Sequence, residues 1–563
     1  MVLDRRRPLR PLAAAFCAAV LCGCGSSTAP ELASTTPVDL GPCTGDVSDD
    51  SALVASLVPG VATVKARQQD IDRYGKGFRI AGNAAEIGYI HHLAAELRAI
   101  GATDVTEEPY GFNAWTPKST ALEITQGPSP GPVRVAYFSP NSGSTGPDGV
   151  SGPLLYLSAL SQVNAVGAVY QALYQHNLGD ALLAVRATLE DAVSGAVSLT
   201  QAIASAGVSG KIVLYDAPKL ALPIGTLEAL AEYVNNSGGT MGPLTPYPRP
   251  YIDELLTIGV INEALKLAGA SAVIAVLDYP AEAADNSYVP FGGTALPAVP
   301  GLYVDRDSGE ALKQQIRASG ARPVLAKLTL DAGEAQATSY NLSATVPGQC
   351  DRYLVVSSHS DGPNSIEDNG PAAILSIAQY FLHAPLSQRR RGLKIVITGG
   401  HFEGSVGIGA YIDAHHDELQ AHALSVIEIE HLGAREWLET SPGVMALDGL
   451  PEPAVLYAGA GSVQQAENVR FAKNFDRSMV TIPLPFGEGI GWASTLGLPK
   501  TQFITGPDYL LNGPMPQVSS EFTDYELEHA QITAFIQMLL DLNTYSDAQL
   551  LADKNLPTGT LPF

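Results

Sequence analysis

Residues 353–361 read YLVVSSHSD, residues 393–403 LKIVITGGHFE and residues 424–433 LSVIEIEHLG. The three stretches share one pattern. Each is a short apolar run, rich in Val, Ile or Leu, that stops at a polar or glycine-bearing segment, as buried parallel strands do. Chemistry-bearing residues stand where each run ends: His359 and Asp361 after the first, His401 and Glu403 after the second, Glu430 and His431 after the third. In an open α/β sheet, ligands bind at the carboxyl ends of the strands. Between the first two runs, Asp368-Asn369-Gly370-Pro371 opens a segment with helical periodicity, with Pro371 suited to a first helical position. The pattern predicts an α/β domain with a site at the strand ends.

Imidazole nitrogen combined with carboxylate oxygen suits a divalent cation, zinc above all. The spacing His359-x-Asp361 would let the aspartate orient the imidazole. A vestigial metal site in a binding protein is the bland alternative. His431 reads as structural, because strand alternation would turn it away from Glu430. Glu488 and Trp492, in PFGEGIGWA, read as loop packing with a possible place in a pocket, and Arg389-Arg390-Arg391 as a solvated turn.

Outward from this centre, an amphipathic helix is expected over Ala84–Gly101, strands at Val105–Tyr110, Thr120–Thr125 and Leu498–Ile504, and a closing helix over Asp524–Leu542. The 563 residues exceed one ordinary core. A formal charge of −24, from 33 basic against 57 acidic residues, argues against a nucleic-acid partner.

Residues 1–24 carry Arg5, Arg6, Arg7 and Arg10, then an apolar run and Leu21-Cys22-Gly23-Cys24. This resembles a lipoprotein signal with Cys24 as the lipid-attachment residue; an ordinary secretory signal is the alternative. The expected localisation is the cell envelope, with the membrane reached through the lipid anchor only. Residues 25–50 are a Ser/Thr/Pro-rich tether. Cys43 and Cys350 are then the two cysteines available for a disulfide in an oxidising compartment.

With these residues in place, the chain resembles the zinc aminopeptidase family that also contains glutamate carboxypeptidase, glutaminyl cyclases and the transferrin-receptor ectodomain. The likeness runs over roughly residues 60–125 and 337–545. It implies a phosphorylase/hydrolase-like, mixed but mostly parallel sheet with helices on both faces. The α/β domain would be built from 51–128 and 332–545, with 546–563 as a tail. The segment 129–331 resembles a protease-associated domain, an inserted β-rich module, over roughly 196–330, with a helical elaboration at 158–206.

The family's His-x-Asp matches His359 and Asp361, its bridging aspartate Asp368, and its third-strand acid Glu430, so the resemblance implies His359, Asp368 and Glu430 as the metal ligands. Where it has Glu-Glu after the second strand, the chain has His401-Phe402; where its last histidine ligand stands, it has Leu510. The resemblance thereby sets His401 at the place of the base, a task that an imidazole titrating near neutrality can perform, or as a further ligand. Glu403 would supply the missing carboxylate if the glycine-flanked turn shifted by one residue. The resemblance therefore implies two zinc ions in relatives and one here, with peptide or small amide substrates. A metal-dependent enzyme of another class, or a receptor-like protein without activity, is the alternative.

Overall fold

In the computed structural model, Cys43, residues 50–162 and, apart from short breaks, residues 203–554 are described. The predicted signal, Cys24 and most of the tether and of the 158–206 elaboration lie outside the described residues. Among those described, no helix is long and apolar enough to cross a membrane.

The elements that frame the site are α1 (Ala84–Ile100), β1 (Thr103–Gln126), β2 (Leu325–Val346), β3 (Tyr353–His359), α2 (Gly370–His383), β4 (Gly392–Thr398), α3 (Val406–His422), β5 (Ala423–Ile429), α4 (Gly489–Leu496), β6 (Lys500–Thr505) and α5 (Tyr525–Thr544). The three apolar runs are neighbouring strands. They lie in the order β2-β4-β3-β5-β6, with β4, β3, β5 and β6 parallel and β2 antiparallel to β4. The register sets His359 beside Thr398 and Ser357 beside Glu428, so the strand ends are level and their following residues converge.

Helices cover both faces. Leu354, Val356, Ile395, Ile427 and Phe503 pack with residues of α1, α2 and α5 on one side. Val355, Val396 and Val426 pack with Ile408, Tyr411, Trp492 and Leu496 of α3 and α4 on the other. Alternate residues of one strand thus serve opposite layers, the arrangement that makes such runs apolar throughout. α1 is capped as its sequence suggests, Asn83 accepting from the Glu86 amide at 2.7 Å and Gly101 closing the helix with φ 98°. Gly370 has no room for a side chain: a Cβ would lie 2.0 Å from the Ile429 carbonyl and 2.1 Å from Ser358 Oγ. That close approach brings the start of α2 against the ends of β3 and β5.

The two short strands expected at Val105–Tyr110 and Thr120–Thr125 are one strand, β1. It pairs antiparallel with β2 along its length, and Pro117 is taken up at a register shift. Ladder pairing overrides the polar sequence between the two apolar pieces. β2 also carries the sheet into the segment 129–331, where Val150–Tyr156, Ile212–Asp216, Ala272–Val276 and Gly301–Val304 run parallel in that order, with helices Gly259–Leu267 and Arg306–Ser319. One strand of this segment, Ala231–Asn235, instead joins the far edge of the main sheet by pairing with Ser478–Thr481. Cys43 and Cys350 form a disulfide with Cα atoms 5.0 Å apart.

Candidate metal centre

Four side chains meet where β3 and β5 end. His359 Nε2 lies 3.8 Å from both Glu367 Oε1 and Glu430 Oε1. His431 Nε2 lies 3.7 Å from Glu367 Oε1 and 3.8 Å from Glu430 Oε2. The four form a ring in which imidazole and carboxylate alternate, and all are buried. His359 Nε2, His431 Nε2, Glu430 Oε1 and Glu367 Oε2 make no hydrogen bond. Four buried polar atoms without partners at one place need an explanation.

The two imidazoles are held in the same way. His359 Nδ1 donates to the Asp361 main-chain carbonyl at 2.8 Å, and His431 Nδ1 to the Thr505 carbonyl at 2.7 Å. Each ring thereby keeps its proton on Nδ1 and turns the Nε2 lone pair toward the carboxylates, which is how metal-ligating histidines are prepared. For a tetrahedral ion with bonds of about 2.0–2.2 Å, ligand atoms stand about 3.4 Å apart; one ligand atom from each of His359, Glu430 and His431 lies within 4.8 Å of the others, as does one from each of His359, Glu367 and His401. The donor set fits zinc.

Charge points the same way. Burial drives His359 well below its ordinary value, with His401 adding to the effect, and pushes His431 down to about 3. Burial drives Glu367 well up, with Asp368 and Glu430 adding to it. Glu430 is pushed up to about 7 by burial, opposed by His401. Neutral imidazoles beside carboxyls that resist ionisation are what a low-dielectric pocket produces until a cation enters.

His431 enters this ring against the alternation expected from β5. Its φ of 57° reverses the chain direction after Glu430, so consecutive side chains face the same centre. Asp368 does not join the ring. Its Oδ2 accepts from the buried guanidinium of Arg79, and burial, opposed by Arg79, leaves it at about 7. Asp361 orients His359 through its main chain, whereas its carboxylate accepts from the His401 and Phe402 amides, each at 3.2 Å, and so shapes the turn after β4.

On that turn the His401 ring stacks on His359 at 4.3 Å, and its Nδ1 lies 3.2 Å from Glu488 Oε1. Glu488 is fixed in turn by the Thr398 hydroxyl at 2.7 Å. Burial pulls the His401 imidazole down, but Glu488 outweighs it and the net shift is upward. His401 also comes within ligand reach of His359 and Glu367, while Glu403 joins neither group of candidate ligand atoms among the described residues. Burial, with Asp361 adding to it, pushes Glu403 up to about 8.

The sequence does not mark Glu367, His431 as a candidate ligand, Arg79, or Glu488 as the partner of His401. Glu367 adjoins Asp368; Arg79 is distant in sequence and carries no local signal, while Glu488 carries only that of a loop residue with a place in a pocket.

No family model matches the chain, and no curated protein matches it. Solved structures do. A zinc aminopeptidase from Bacillus subtilis superposes with TM-score 0.55 at 15% identity, covering 87% of this chain and 98% of its own. A peptidase precursor from Shewanella amazonensis gives 0.55 at 16%, covering 86% and 93%. An aminopeptidase from Aneurinibacillus sp. strain AM-1 gives 0.51 at 16%, covering 85% and 93%. At such identities the likeness establishes the α/β fold.

Proposed function

We propose that the chain is a metal-dependent hydrolase that cleaves peptide or other small amide bonds, with one zinc ion held by the ring of His359, Glu367, Glu430 and His431. The observation that carries the reading is the matched pair of imidazoles, each anchored through Nδ1 to a carbonyl with a buried, unpartnered Nε2 facing two carboxylates. The fold supports it, since the superposable structures include a zinc aminopeptidase and a further aminopeptidase.

Bound there, zinc would supply Lewis-acid polarisation of a substrate carbonyl and of water. The rest falls to the chain. His401, stacked beside the ring, is placed to take a proton at Nε2, while its Nδ1–H stays directed at Glu488 Oε1. Glu488 steadies the imidazolium so formed, and Thr398 keeps Glu488 in place. Asp361 holds the main chain of His401 and Phe402, so the base does not drift from the ligands. Phe402 and Tyr288, with ring centroids 5.9 Å apart, close one side with carbon and exclude water.

Export fits the same picture. The Cys43–Cys350 disulfide suits an oxidising compartment, and the segment ending at Cys24 is proposed as a lipoprotein signal. The insertion is proposed as a protease-associated module.

The test is metal content and turnover together. Purified protein should contain zinc, lose it on His359→Ala, and hydrolyse aminoacyl amides or short peptides. Protein without metal after zinc reconstitution refutes the reading in favour of a binding protein; bound zinc with no amide hydrolysis points to another reaction class.

A further inference from the structure

The relatives that the chain resembles hold a second cation beside the first, and the residues here do not fit one. We infer that the place of that cation is taken by the protein itself: Arg79 supplies its charge, Phe402 and Leu510 fill its surroundings, and the site is a one-metal site by construction. This rests on the metal-centre reading above and adds to it what holds Asp368.

Arg79 is fully buried. It is fixed by a two-way main-chain bridge to Gly362, in which the Arg79 amide donates to the Gly362 carbonyl at 2.8 Å and the Gly362 amide to the Arg79 carbonyl at 2.7 Å. The bridge sets its side chain beneath the 361–368 loop. Its Nη2 donates to Asp368, and its Cζ lies 5.0 Å from the centre of the Tyr89 ring, a cation-π contact. Asp368 Oδ2 therefore already faces a permanent positive charge, while its Oδ1 is buried without a hydrogen-bond partner; a dication arriving at that carboxylate would meet the guanidinium charge at close range in a dry interior.

The other side is carbon. Phe402 is fully buried, edge-on to His359 at 6.3 Å and to His401 at 5.0 Å. Leu510 is buried in the same apolar cluster, with Ile366 and Tyr509. The Leu510 carbonyl is held by Asn364 Nδ2 at 2.6 Å, so its backbone cannot swing in as a substitute ligand without breaking that bond. Asn364 Oδ1 also accepts from the Ile366 and Glu367 amides, at 3.0 and 3.2 Å. The same side chain thus locks the apolar side and presents Glu367, one residue before the aspartate, to the metal ring. Glu367 thus offers a carboxylate beside His359, while Asp368 Oδ2 is engaged by Arg79.

The experiment is a cobalt(II) titration of chelator-stripped full-length protein, followed by visible absorption and by elemental analysis. The expected result is one break at a single equivalent. Glu367→Gln should weaken binding by about 100-fold or more, since losing a ligand exceeds the 10–100-fold typical of an outer partner, whereas Asp368→Asn should weaken it less than about tenfold. A break at two equivalents overturns the inference while leaving the hydrolase reading intact, as does loss of the ion in Asp368→Asn with retention in Glu367→Gln. Absence of binding by the parent protein refutes the metal centre itself. Should Asp368→Asn fail to fold, the double variant Arg79→Met/Asp368→Leu replaces the buried pair with apolar groups of similar size. It should still bind one equivalent, and loss of the ion from that folded variant overturns the inference. The stoichiometry of the parent protein and Glu367→Gln decide the matter even if neither variant folds.

Discussion

Asn369 grips Leu432 by both polar ends of its main chain: its Nδ2 donates to the Leu432 carbonyl at 2.8 Å, and its Oδ1 accepts from the Leu432 amide at 2.9 Å. This buried clasp joins the loop carrying Glu367 to the loop carrying Glu430 and His431. It touches no candidate ligand, yet fixes the separation of the two halves of the ring. Asn369→Ala should therefore lower zinc affinity by about 10–100-fold, the range for outer partners of a metal site. Competition with a chromophoric chelator measures it. Unchanged affinity would show that the loops hold their spacing without the clasp.

The His401–Glu488 pair predicts a separation between binding and turnover. His401→Ala should lower kcat by about 10²- to 10⁴-fold, the range for loss of a positioned acid-base group. Glu488→Gln should fall between that variant and the parent, because it keeps the hydrogen bond and loses the charge. Both should retain the metal. If His401→Ala loses zinc along with activity, the residue is a ligand, which its reach to His359 and Glu367 allows.

The three strands were legible because apolar runs ending in polar residues are what the interior of a parallel sheet demands. Three of the candidate positions that the structure brings together, His359, Glu430 and His401, followed from the same logic. His431 did not, because strand alternation fails at a residue with φ 57°, and a conformation that costs energy for a non-glycine residue is invisible in sequence. The choice between Glu367 and Asp368 was equally hidden. It depends on Arg79, 289 residues away, whose guanidinium reaches Asp368 only once the sheet has folded. β1 looks like two strands in sequence for a related reason: its central polar residues acquire strand conformation from pairing with β2.

The disulfide closes a separation of 307 residues and holds the segment before α1 against the body of the α/β domain. Near it, the Gln388 side-chain amide donates to the Ala52 carbonyl at 2.7 Å, and the Tyr380 hydroxyl accepts from the Val54 amide at 3.1 Å. Removal of a native disulfide costs about 2–5 kcal/mol in small secreted domains, and Cys43→Ser/Cys350→Ser should lose an amount toward the lower end here, where the contacts around Ala52 and Val54 remain. Urea unfolding with and without reductant checks it. A parent protein whose midpoint does not move on reduction would show that the bridge contributes nothing to stability.

His415 on α3 links that helix to β1, its Nε2 2.8 Å from Glu108 Oε2 and its Nδ1 3.3 Å from Glu418 Oε2. The hydrogen bond to Glu108, then that to Glu418, raises the imidazole from 6.5 to about 9. Glu418 falls from 4.5 to about 2, chiefly through His415 and with help from Lys394. Tyr411 lies against the imidazole with ring centroids 4.4 Å apart and planes tilted by 34°, and the Tyr353 hydroxyl donates to Glu418. A histidine whose folded value is raised binds its proton more tightly when folded. Its contribution is complete below 6.5 and disappears as pH rises through about 9. The glutamate has the opposite sign: its contribution is complete above 4.5 and disappears as pH falls through about 2. The stability difference between parent and His415→Gln should therefore be largest between 4.5 and 6.5, and should shrink steadily toward alkaline pH. Urea midpoints of the two proteins at about pH 5.5 and about pH 9.5 measure that difference. A gap that stays constant or widens at the higher pH would mean that the imidazole is not charged in the folded protein, and that the link between α3 and β1 is made by neutral hydrogen bonds.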